Sequence, residues 1–101
     1  MRAYQQYQRG TLAEKAKRAA ELEHTLETMI TQGEATKRQV GAARGNLTRA
    51  RQGLQEAIAA QLHKDEPYTG TNEGEKFEHI REQMIRAYSL VDEEIEKYRK
   101  A

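Results

Sequence analysis

An all-α protein is predicted by three observations. Apolar and small residues recur at heptad spacing from Leu12 to Ala57 with no proline between them. A second apolar stripe at helical spacing follows a single loop, and no run alternates as a strand does.

In chain order, residues 1–10 form a polar leader containing Tyr4 and Tyr7. Thr11-Leu-Ala-Glu14 then has the spacing of a capping box. The threonine hydroxyl can accept from an early helix amide while the glutamate reaches back to the cap amide. The helix that starts there carries Leu12, Ala19, Leu26, Gly33, Val40, Leu47 and Leu54 at one heptad position. Leu22, Met29, Thr36, Ala43, Ala50 and Ala57 fall at the second. A period of 3.5 residues keeps one seam against a partner helix, and the phase passes through Gly33 without a slip. The spacing therefore predicts one long helix over 11–62. The competing arrangement is a compact three-helix bundle that turns at Gly33, because glycine costs about 1 kcal/mol in a helix interior relative to alanine.

The loop falls at 63–74, where the only proline, Pro67, stands with Gly70, Gly74 and Asn72. A second helix is predicted over 75–99, packing through Phe77, Ile80, Met84, Ala87, Tyr88, Val91, Ile95 and Tyr98. Residues 11–101 thus read as one helical domain, a helical hairpin assembling as a coiled-coil bundle. If the hairpin closed at the loop, the shorter helix would leave roughly 40 Å of the longer one bare, at about 1.5 Å per residue. That overhang carries Leu12, Ala19, Leu22, Leu26, Met29 and Ile30, a stripe expected to be covered by a second copy, as dimer or tetramer, or by another helical protein.

Composition narrows the function classes. Leu, Ile, Val and Phe number only 15, a level typical of disorder when net charge is high. Here the net charge is +1 and the apolar residues are regularly spaced, so an elongated, surface-rich helical protein is the better reading. The absence of cysteine removes disulfides, zinc–thiolate sites and a cysteine nucleophile. No stretch approaches the roughly 18 apolar residues of a membrane span and none of the leader resembles a signal peptide, so the expected compartment is cytoplasmic.

Four constellations could carry chemistry. Between Glu34 and Glu56 there are no acidic residues but five basic ones, Lys37, Arg38, Arg44, Arg49 and Arg51. These could track nucleic-acid phosphates. Lys37, Arg44 and Arg51 fall beside the seam, where pairing across helices is the better reading, with Arg44 meeting the acidic run Asp92–Glu96. Gly41-Ala-Ala-Arg-Gly45 has small-xxx-small spacing and suggests a tight, alanine-rich seam. Glu21-Leu-Glu-His24, and Glu75 with His79 and Glu82, match metal-ligand spacings but fall on outer helix positions, so no metal or cofactor is expected. Ser89 is the sole serine, and no nucleophile, phosphate loop or carboxylate pair is arranged for catalysis. His63 falls at a helix end, where its imidazolium suits the dipole. Tyr4, Tyr7 and Tyr68 stand off the seams as partner-contact candidates, whereas Tyr88 and Tyr98 read as core.

Ala3-Tyr-Gln-Gln-Tyr-Gln8 is similar to the opening of the flagellin export chaperones. The likeness covers six residues, and Glu14–Arg18 replaces the apolar segment that follows in that family. It implies a small helical bundle serving as a chaperone or secretion adaptor that wraps a partner. The expectation from the residues themselves is a non-enzymatic interaction or assembly module acting through a helical seam.

Overall fold

The computed structural model describes residues 10–99, which form three α-helices: α1 (Leu12–Gln32), α2 (Lys37–Asp65) and α3 (Glu73–Glu96). The all-α class stands. The long helix expected over 11–62 is divided, and the three-helix arrangement turning at Gly33 is the one observed. The α2 helix runs beyond Leu62 to Asp65, and α3 starts at Glu73 and ends at Glu96 rather than spanning 75–99.

Local chemistry explains the division. Gly33 adopts the left-handed region (φ 69°, ψ 12°), and its N–H donates to the Met29 carbonyl at 3.1 Å, closing the C-terminus of α1. Three residues later Thr36 opens α2. Its hydroxyl accepts from the Gln39 N–H at 3.1 Å, while the Gln39 side chain accepts from the Thr36 N–H at 2.9 Å. A stop signal and a start signal therefore stand three residues apart. The seven-residue count carries across this turn unchanged. Phase alone does not distinguish a continuous helix from a hairpin.

At about 1.5 Å per residue the helices are roughly 32, 44 and 36 Å long. They pack side by side within 56 × 29 × 23 Å. Since α1 folds back along α2, the bare 40 Å overhang does not exist. The predicted Thr11–Glu14 capping box is present, with reciprocal hydrogen bonds of 3.1 Å.

The core is built largely from alanine. Ala16, Ala19 and Ala20 of α1 meet Ala50, Leu54, Ile58 and Ala59 of α2 and Ala87, Val91 and Ile95 of α3. Leu12, Leu22, Leu62 and Leu90 close its margins. Small side chains let the helix axes approach closely, with Gly53 also buried on α2. The GxxxG pair contributes less: Gly41 is exposed with nothing within 4 Å of a Cβ built there, and Gly45 is half-buried.

Polar ties fasten both ends of α3. Near its start, buried Gln83 donates through Nε2 to the Glu66 carbonyl at 2.9 Å, which orients its Oε1 to accept from His63 Nδ1 at 3.1 Å. His79 Nε2 donates to the same carbonyl at 2.7 Å, and Asn72 caps the helix by accepting from the Glu75 N–H. At the other end Arg51 of α2 lies 3.8 Å from Glu23 of α1 and 3.0 Å from Asp92 of α3, and Arg99 joins the same carboxylates. No buried side-chain nitrogen or oxygen among the described residues lacks a hydrogen-bond partner. No described helix is long and apolar enough to cross a membrane.

Candidate interaction surface

The distribution of large apolar side chains defines the surface of interest. Among the described residues four lie buried, Leu54, Ile58, Val91 and Ile95, while seven are exposed. Five of those seven are on α3: Phe77 (67% exposed), Ile80 (43%), Met84 (36%), Ile85 (60%) and Tyr88 (69%). At 3.6 residues per turn Phe77, Met84 and Tyr88 fall within about 40° of one another on the helix circumference. They form one continuous outer stripe flanked by Ile80 and Ile85.

This overturns part of the packing face expected from the sequence. The row that α3 buries is Gln83, Ala87, Val91 and Ile95, while Phe77, Ile80, Met84 and Tyr88 are left outside. The cause is steric. Ala87 is wholly buried against an alanine-lined seam that leaves no room for a phenyl or phenol ring, so the row that carries Ala87 and no ring turns inward. Tyr88, expected in the core, is therefore among the most exposed apolar residues, and Tyr98 is 36% exposed.

Beside the stripe lies a groove of about 300 Å³ between α2 and α3, lined by Thr48, Arg51, Gln52, Gln55, Tyr88 and Val91. Gln55 spans it below, donating through Nε2 to the Met84 carbonyl at 3.0 Å. Tyr88 thus belongs to both the outer stripe and the groove wall.

The other candidate residues are distributed as follows. In the predicted overhang Ala19 is fully buried in the intrachain core, Leu12 and Leu22 pack against it, Leu26 and Met29 are half-buried, and Ile30 is 54% exposed. Among the basic residues, Arg51 takes the interhelical pairing expected for Arg44, and Arg49 donates to the Asn46 side chain at 2.7 Å. Lys37, Arg38 and Arg44 are exposed near the α1–α2 turn. Glu21 and His24 line a cavity of about 640 Å³ with Glu23, Tyr98 and Arg99. Glu75, His79 and Glu82 line a shallower one with Tyr68. No group of three or more metal-capable side chains converges among the described residues. His63 stands in the last turn of α2, and its Nδ1 also donates to the Gln83 side chain at 3.1 Å. The Tyr68 hydroxyl donates to Glu75 at 3.0 Å and accepts from the Asn72 N–H; burial, then the Glu75 carboxylate, holds its pKa above 10.0. Tyr4 and Tyr7 lie outside the described residues.

Comparison with protein-family models, with curated proteins and with solved structures returns no match.

Proposed function

We propose that this chain is a non-enzymatic protein-interaction module whose working surface is the outer face of α3. The observation that carries the reading is the placement of large apolar residues: alanine supplies six of the ten core side chains, while Phe77, Ile80, Met84, Ile85 and Tyr88 stand together in solvent. Single exposed apolar residues are ordinary, but a contiguous stripe of five marks a binding surface. Aromatic and methionine side chains are also those enriched where proteins meet. The module works by covering this stripe with a helix from another protein molecule, in a compartment we read as cytoplasmic.

The chaperone or adaptor role implied by the leader is one form of this reading. A nucleic-acid role draws less support, since Arg51 is held by Glu23 and Asp92 and Arg49 by Asn46, leaving three cations near the helical turn.

The test places a photo-crosslinking side chain at Ile85 and, as control, at Arg18 on α1. The reading expects a protein adduct at Ile85 that disappears in a Phe77→Ser/Tyr88→Ser background and is absent at Arg18. Equal adducts at both positions, or none at Ile85, would overturn it.

A further inference from the structure

We propose that the occupant of the α3 stripe is the same stripe of a second copy, in a two-fold antiparallel pairing centred on Met84. The inference rests on the interaction reading above and adds the identity and geometry of the partner.

The argument starts from positions along one helix. Phe77 is a projecting ring, two-thirds exposed, while the recess that could receive it is walled by Val91 and Tyr88 together with Thr48, Gln52, Gln55 and the Asp92-paired Arg51 of α2. Knob and recess are 14 residues apart, roughly 21 Å, and Met84 stands midway between Phe77 and Val91. A two-fold axis through Met84 therefore brings each Phe77 to the recess of the other copy, and both contacts form at once. A patch that carries a projection and its recess at equal distances from one midpoint is self-complementary, the requirement of an isologous interface.

The intervening positions agree. The same axis sets Ile80 opposite Tyr88 of the second copy and Met84 opposite itself. Arg81, one residue beyond Ile80, comes beside that tyrosine ring, which its guanidinium can cover. No like-charged pair falls on the axis, and the acidic residues Glu75, Glu82 and Glu93 lie on the other side of α3.

Area decides the strength. A wholly covered aromatic side chain contributes about 150–250 Å², so the five partly exposed residues present roughly 400 Å² per chain. Two stripes with the groove walls approach about 1,000 Å², the lower edge of specific interfaces. The pair is accordingly a reversible dimer that dissociates on dilution.

The chain holds no cysteine, so introduced thiols report contacts without background. Under mild oxidation, Met84→Cys is expected to give a covalent dimer at a yield at least tenfold above that of Arg18→Cys. Mixing Ile80→Cys with Tyr88→Cys is expected to yield mainly the mixed disulfide. Circular dichroism of each variant confirms that the helices are retained. A preference for 80–80 and 88–88 disulfides would overturn the antiparallel geometry. If Met84→Cys stays monomeric while Ile85 still crosslinks to a different protein, self-pairing fails and the interaction reading survives. If Ile85 gives no adduct at all, both fail.

Discussion

Arg99 and Glu23 form a two-point ion pair that ties the segment following α3 to the middle of α1. The Arg99 Nε donates to one Glu23 oxygen at 2.7 Å and a terminal nitrogen donates to the other at 3.0 Å. The Glu23 and Glu96 carboxylates hold the guanidinium pKa above its usual value. The pair adds a polar tie to the apolar contact that α1 and α3 share in the core.

A double-mutant cycle with Arg99→Ala and Glu23→Gln is expected to give a coupling of about 0.5–1 kcal/mol that shrinks in high salt, since both groups keep some solvent contact. Urea unfolding measures it. A coupling near zero at low salt would remove the tie from the account.

Substitution at Gly33 gives opposite signs for the two folds weighed from the sequence. In a continuous helix Gly33→Ala stabilises by about 1 kcal/mol. At a left-handed cap the same change destabilises by about 1 kcal/mol, because a Cβ disfavours positive φ. Thr36→Ala is expected to cost a further ~1 kcal/mol by removing the second capping box. Urea midpoints of the variants read the sign directly.

Inside and outside of the molecule should respond differently to truncation. Leu54, the largest wholly buried side chain of α2, is expected to cost about 2–5 kcal/mol when changed to Ala. Phe77→Ser on the outer stripe is expected to leave the unfolding midpoint of the dilute protein within about 0.5 kcal/mol of the parent. Comparable losses from the two would mean that Phe77 packs within its own chain.

The capping box at the start of α1 predicts an acid-side response. The Thr11 backbone N–H and then its hydroxyl hold the Glu14 pKa below its ordinary 4.5. With the folded value depressed, the contribution of the box is present above pH 4.5 and is lost as pH falls through the lowered value. Proton resonance titration should show the Glu14 carboxyl and the Thr11 amide moving together with a midpoint below 4.5. A midpoint at or above 4.5 would contradict the cap.

Much of this fold is legible in the residues, and the failures are instructive. The Thr11–Glu14 box, the Pro67 loop and the helical character of all three segments follow from spacing alone. The turn was also written in the chain: Gly33 as a stop, with Thr36 and Gln39 three apart as a start. Reading Gly33 and Thr36 as seam positions hid that signal, because the seven-residue count carries across this turn unchanged. The outer face of α3 was less accessible. Ala87 and Val91 share one apolar arc with Met84 and Tyr88, and periodicity cannot say which row turns inward. That choice depends on how closely the alanines of α1 and α2 draw the helices together, a property of the packed bundle. Likewise Arg51 rather than Arg44 meets Asp92 because the docking of α2 against α3 across the 66–72 loop sets that register, which spacing within either helix does not reveal.

The most direct measurement is the mass in solution by light scattering, over a concentration series, for the parent and for Phe77→Ser/Tyr88→Ser. The account predicts a parent mass rising from 11.6 kDa toward twice that value with concentration, and a helical variant that stays at 11.6 kDa throughout. A variant that associates as the parent does would contradict the claim that the α3 face is where this protein meets its partner.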